Sequence, residues 1–81
     1  MGFENRNLSV IAYANGFTLW NYRTDDDIDK VLKDNYFTKI YTLSRTGDII
    51  IINARHNNEN YTCIKQLILS ENMIQVKSLN D

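Results

Sequence analysis

Proline is absent from this 81-residue sequence, and cysteine and histidine each occur once, as Cys63 and His56. A lone cysteine excludes a disulfide within the chain. A structural zinc site draws four ligands from cysteine and histidine, so two such residues are too few. The longest purely apolar run, residues 49–52, is far shorter than the roughly 20 residues of a membrane-spanning helix. We therefore expect no metal, no cofactor and no membrane segment, and a free thiol is typical of a reducing compartment.

Clustered charge is also missing. The formal net charge is −1, and the nine Lys and Arg residues are scattered along the chain. Binding to nucleic acid through phosphate neutralisation requires basic residues grouped on one face, so we expect no nucleic-acid partner. The first ten residues lack the cationic start and apolar stretch of a signal peptide, so we expect no secretion by that route.

The length predicts one domain, with residues 1–7 as a flexible N-terminus and residues 8–81 as a single small fold. A domain of this size buries only about 60–65% of the surface of its unfolded chain. Small domains often gain stability from disulfides, metals or partner subunits, and the first two are excluded here. The sequence therefore favours a homo-oligomer.

Alternating apolar residues and turn signals predict about five or six strands, of which five are clear. Asn15-Gly16 is a strong hairpin signal between the first two, because both residues tolerate positive φ. Residues 46–48 and the Asn-rich segment 57–60 read as further turns. The predicted strands are Leu8–Ala14 and residues 17–23, 48–53, 61–69 and 73–79.

Two short helices are predicted between the second and third strands. Thr24 or Asp25 would cap the first, whose acidic first turn suits the helix dipole. Ile28, Val31 and Leu32 would form its apolar stripe over about two and a half turns. Residues 38–43 favour a second helix, with a strand left as the alternative.

These elements predict an α+β fold: a small, curved antiparallel sheet or partly closed β-barrel with one or two short helices. The predicted core comprises Phe17, Leu19, Trp20, Ile28, Val31, Leu32, Phe37, Leu43, Ile49, Ile51, Ile64 and Leu67.

The segment GFTLWNYRT, residues 16–24, holds the only tryptophan, and its aromatic residues suit either a core or a contact surface. A subunit interface would satisfy both interpretations, so whether Trp20 is buried within one chain or between chains is left open. The interface candidates are Phe17, Trp20, Tyr22, Tyr13 and Tyr61.

No catalytic triad can be named from the sequence. No nucleophile and acid are paired with His56, and Cys63 reads as a structural thiol. The acidic run DDDID is not a calcium loop, because Lys30 and Tyr36 stand where an EF-hand needs Gly and Glu. We therefore predict no catalytic, cofactor-binding or metal site, and no small-molecule substrate.

Two segments together resemble a family of small uncharacterised proteins found near bacteriophage and prophage structural genes. The family pattern runs F-x-L-W-x-Y-x-T, a short acidic helix, G-Y-F, a short segment ending in Leu, and then G-D-x-I-x-V. The resemblance covers residues 16–54, with Asn35 in place of the usual Gly before Tyr-Phe. The matching residues are Phe17, Leu19, Trp20, Tyr22, Thr24, Tyr36, Phe37, Leu43, Gly47, Asp48 and Ile50.

The resemblance implies a non-enzymatic structural or accessory virion protein, such as a head decoration, located in the virion or the bacterial cytoplasm. Its expected partners are copies of itself or other virion proteins. An alternative function is a small interaction module that binds a peptide or partner at a sheet edge. An enzyme is the third possibility, and only as an oligomer whose site forms between subunits.

Overall fold

The computed structural model describes residues 2–71 and 73–78, which form one five-stranded sheet with a thin cover on one face. The strands lie side by side in chain order. One short helix, α1 (Ile28–Val31), and two 3₁₀ turns, Asn5–Asn7 and Thr38–Ile40, complete the regular structure of these residues. The strands are β1 (Leu8–Ala14), β2 (Phe17–Asp27), β3 (Ile49–His56), β4 (Glu59–Ser70) and β5 (Met73–Ser78).

Tight turns join β1 to β2 and β3 to β4. The predicted hairpin at Asn15-Gly16 is confirmed, and only Gly16 takes a positive φ there, of 90°. Asn57 and Asn58 have φ of 54° and 64°, as in a type I′ turn. This turn geometry matches the natural twist of the two strands it connects, so the polar segment ends β3 and starts β4 without a loose loop.

The sheet is mixed and open, so the predicted antiparallel sheet or partly closed barrel is wrong. β2 and β3 run parallel, with Leu19 opposite Ile49 and Arg23 opposite Asn53, while the other neighbouring pairs are antiparallel. A parallel pair needs a crossover of about a dozen or more residues. Residues 28–48 supply it, since they carry the chain back across one face before β3 begins.

The helical content is also smaller than predicted, and the fold is essentially all-β. β2 continues to Asp27, which pairs with Arg55, so α1 starts later than the predicted cap at Thr24 or Asp25. Asp27 is the cap instead, and its carboxylate accepts from the Asp29 backbone N–H at 3.0 Å. Residues 38–43 contain the short 3₁₀ turn rather than a strand.

The core lies between the crossover segment and one face of the sheet. Its sheet side includes Trp20 and Tyr22 from β2 with Ile50 and Ile52 from β3, and its cover includes Val31 from α1. The complete cluster of buried apolar residues is Phe3, Trp20, Tyr22, Ile28, Val31, Tyr36, Phe37, Ile40, Ile50, Ile52, Ala54, Leu67 and Ile74.

Burial on β3 is out of phase with the prediction. Ile50 and Ile52 are fully buried, whereas Ile49 and Ile51 lie half-buried on the opposite face. Leu43 and Ile64 are exposed, so the prediction that they belong to the core is wrong. Phe17, Leu19 and Leu32 are half-buried. The predicted core residues that the structure confirms are Trp20, Ile28, Val31, Phe37 and Leu67.

The N-terminal segment, predicted to be flexible, contributes a core residue. Phe3 is buried, and its ring stacks on Tyr22 with centroids 5.1 Å apart. It also meets Phe37 edge-on at 5.7 Å and Tyr36 at 6.2 Å. Offset and edge-to-face contacts of this kind each add about 0.5–1.5 kcal/mol beyond area burial, so the segment is held by its aromatic ring.

Candidate interaction surface

Two of the five interface candidates lie in the core of one chain. Trp20 is 6% exposed, and its indole N–H donates to the Asp48 carboxylate at 3.1 Å. Tyr22 is fully buried, and its hydroxyl accepts from the Glu4 backbone N–H at 2.9 Å. Both side chains are buried and have their polar atoms bonded inside the fold, so they are part of the core of one chain.

Asp48 joins β2 to the turn before β3. One carboxylate oxygen accepts from the Thr18 backbone N–H at 3.0 Å, and the other accepts from Trp20 and from the Arg45 backbone N–H, each at 3.1 Å. Its own backbone oxygen accepts from the Leu67 N–H at 2.8 Å. A buried carboxylate with three donors is a strong structural link, because hydrogen bonds to a charged group are stronger than neutral ones.

A series of hydrogen bonds connects polar groups within the aromatic cluster. The Tyr36 hydroxyl donates to Asp26 Oδ2 at 2.7 Å and contacts the Tyr22 hydroxyl at 3.0 Å. Because the single hydroxyl hydrogen of Tyr36 is donated to Asp26, the Tyr22 hydroxyl must donate to Tyr36. The bonds therefore run in one direction, from the Glu4 N–H through both phenols to a carboxylate.

This arrangement keeps Tyr36 protonated. Burial, followed by the hydrogen bonds to Tyr22 and Asp26, raises the pKa of the Tyr36 phenol well above its ordinary value. Asp26, the acceptor of Tyr36, also lines a cleft of about 230 Å³ between the N-terminal segment and residues 24–26. That is below the roughly 300 Å³ at which small-molecule sites begin, so the cleft does not point to a substrate.

The other three interface candidates are accessible, but the structure does not bring them together. Tyr13 on β1 is 71% exposed, and Tyr61 on β4 is 43% exposed. Tyr13 pairs with Thr18 and Tyr61 pairs with Ala54, so both lie on the face of the sheet that the crossover covers. Half-buried Phe17 lies on the opposite face. The candidates therefore do not form one contact surface.

The side of the sheet opposite the crossover carries a different apolar surface, which we call the open face. Register places Leu19 beside Ile49 and Ile51 beside Ile64, across the three central strands. These side chains lie outside the core cluster, and Ile64 is 48% exposed. The open face consists of Phe17, Leu19, Ile49, Ile51, Ile64 and Ile68.

Charge is absent from the middle of the open face. The polar residues interspersed among the isoleucines are neutral, such as Asn21 and Gln66. Charge begins at the next row of the sheet, where Arg23 lies beside Asn53, and continues with Arg55, which pairs with Asp25 at 3.6 Å. Lys77 stands on the edge strand β5. A neutral apolar centre with a charged margin is typical of a protein interface.

The edge strand β1 is a second accessible apolar element. Its sequence, LSVIAYA, has no charge, and Val10 and Ile11 are about half exposed. A bulge interrupts its pairing with β2 between Val10 and Ala12. Bulges twist an edge away from further strand pairing, so this edge is less suited to self-association than the open face.

The residues considered for catalytic or metal chemistry lie apart from one another. His56 is exposed and its ring lies 5.7 Å from that of Tyr61, and within the described residues no acid or nucleophile forms a hydrogen bond with it. Burial raises the pKa of the half-buried Cys63 thiol, and the positive charge of Lys65 opposes this. Within residues 2–71 and 73–78, no three His, Cys, Asp or Glu side chains group closely enough to hold a metal.

No helix in the described part of the chain is both long and apolar enough to cross a membrane. No family model matches the chain, and neither a curated protein nor a solved structure matches it.

Sequence reasoning missed the open face because it assigned the same residues to the core. Phe17, Leu19, Ile49, Ile51 and Ile64 were all read as buried, and a strand with apolar groups on both sides does suggest cover on both sides. The sequence singled out Trp20 and Asp48 only as two residues of the family pattern. The structure shows that their side chains form a hydrogen bond with each other.

Proposed function

We propose that this chain is a non-enzymatic structural or accessory virion protein of phage origin, acting by self-association or by docking on a particle. The observation that carries the proposal is the open face, a neutral apolar sheet surface that the described residues leave uncovered. Isolated apolar side chains are common on monomers, but a contiguous patch points to an interaction.

The pattern residues that suggest a phage family support this proposal through their structural roles. Trp20 and Asp48 bind each other, and Tyr22, Tyr36 and Phe37 share one aromatic cluster. The pattern therefore describes a scaffold and contains no constellation of reactive groups. A scaffold that presents an apolar face fits a binding or assembly role better than an enzymatic one.

The test is the composition of particles. Particles from a host that carries the gene are separated on a density gradient, and this chain is quantified by mass spectrometry relative to the major capsid protein. We expect it at a fixed ratio in the particle fraction, retained after a high-salt wash. Abundant protein in the lysate and none in washed particles would contradict the proposal.

A second candidate function is a module that binds a peptide strand at a sheet edge. The uncharged β1 edge, with exposed Val10, Ile11 and Tyr13, is the observation that favours it. Such a module would be a monomer that gains one strand on binding. Amide exchange would then show new protection along β1 when the partner is added, and unchanged exchange there would exclude this mode.

A further inference from the structure

We infer that the open face packs against the open face of a second copy of this chain, forming a two-fold symmetric β-sandwich. This inference rests on the proposed function and specifies its partner and its surface. The first argument is the sequence of the parallel pair: β2 and β3 carry apolar side chains on both faces, a pattern typical of strands that are covered on both sides. Here the crossover covers only one.

Charge argues for an identical partner. The centre of the open face carries no charged side chain, so two copies can meet without like-charge repulsion. A two-fold axis perpendicular to the strands places the Arg23 end of each sheet over the opposite end of its partner, which keeps the basic margins apart. Isologous contacts require this kind of self-complementarity.

Area is sufficient for such a contact. The sheet has five strands. At a spacing of about 4.8 Å, with about six residues per strand and about 3.3 Å per residue, the projected face of all five strands is about 480 Å², of which the three central strands supply about 290 Å². Two copies then bury about 1,000 Å², which is the size at which a specific interface begins. Facing sheets about 10 Å apart interdigitate their side chains to form a second core layer.

Alternating isoleucines provide an internal control for the first measurement. With labelled isoleucine methyl groups, we expect the resonances of Ile49, Ile51 and Ile64 to shift together on dilution, because they lie on the open face. Ile50 and Ile52, buried on the other face, should remain unchanged. Shifts confined to Ile11 on β1 would overturn the inference in favour of edge pairing.

A matched pair of substitutions tests the surface directly. Ile64→Lys alters a 48% exposed side chain on the open face, and Ile11→Lys alters a 51% exposed side chain on the β1 edge. We expect Ile64→Lys to weaken the dimer about a hundredfold or more by sedimentation, since symmetry makes one substitution remove two contacts. Ile11→Lys should leave the dimer intact. Urea unfolding of both variants checks that each remains folded.

The outcomes separate this inference from the proposed function. A wild-type chain that is monomeric at about 1 mM, a concentration at which even weak pairing is populated, overturns the inference. So does a dimer that Ile64→Lys leaves intact. If the chain is nevertheless found in washed particles, the proposed function stands and the open face docks on another protein. A dimer that is absent from particles keeps the inference and refutes the virion role.

Discussion

Replacing Asp48 with asparagine tests whether the buried carboxylate holds the sheet together. The substitution keeps the shape of the side chain but turns one acceptor into an N–H donor. In wild type, Oδ1 accepts from Thr18, and Oδ2 accepts from Trp20 and Arg45. Whichever way the amide points, at least one of these donors faces another donor.

The cheaper orientation keeps the amide oxygen toward Trp20 and Arg45 and leaves the Thr18 N–H unpaired. An unsatisfied buried donor costs about 1–3 kcal/mol, and the two remaining bonds lose the assistance of a charge. We therefore expect Asp48→Asn to lower the free energy of unfolding by about 2–4 kcal/mol. That is a large share of the 5–15 kcal/mol typical of a folded domain.

Urea unfolding followed by tryptophan fluorescence measures this, because Trp20 is the only tryptophan and is buried. The matched control is Asp25→Asn, which removes a 97% exposed carboxylate 3.6 Å from Arg55. Exposed ion pairs contribute about 0–1 kcal/mol, so the control should unfold nearly as wild type does. If Asp48→Asn also stays within about 0.5 kcal/mol of wild type, the hydrogen-bond argument is refuted.

Three further predictions concern the core. Phe3→Ala should lower the free energy of unfolding in urea by about 3 kcal/mol, whereas Arg6→Ala, at an exposed residue, should lower it by less than about 0.5 kcal/mol. Equal effects of the two substitutions would support a flexible N-terminus. Ile52→Ala should lower the free energy of unfolding by about 3–4 kcal/mol, and Ile51→Ala should lower it clearly less, when both variants are measured as dilute monomers. The reverse order would show that the core lies on the other face of β3. Tyr36 has a raised pKa when folded, so its contribution to stability is complete below about pH 10, the ordinary phenol value, and declines as pH rises above it. In an alkaline absorbance titration its ionisation should coincide with unfolding, and Tyr36→Phe should reduce the absorbance change of that step. Ionisation of Tyr36 with the fold intact would contradict the burial argument.

Strand positions were predictable because their signals are local. LSVIAYA, a two-residue turn at Asn15-Gly16 and the return strand follow from propensity and turn chemistry over a few residues. The helix was overpredicted for a related reason. The acidic run suits a helix N-terminus, but pairing of Asp27 with Arg55 extends β2 into it, and that pairing joins residues far apart in sequence.

The candidate site was harder to predict than the strands. Trp20 was correctly predicted to lie in the core, but it was also, with Tyr22, an interface candidate, because interfaces favour large aromatic groups. Their burial depends on Asp48 and Tyr36, which reach them only after the crossover has folded back. A single sequence does not display those distant hydrogen bonds.

The sequence by itself therefore determined where most of the strands and tight turns lie, and its single cysteine leaves no disulfide within the chain. Only the tertiary structure decided the parallel pairing of β2 with β3 and the face on which the core forms. Four consecutive isoleucines, residues 49–52, favour neither face of a strand. The crossover packs on Ile50 and Ile52, so these two side chains are buried, and Ile49 and Ile51 lie on the open face.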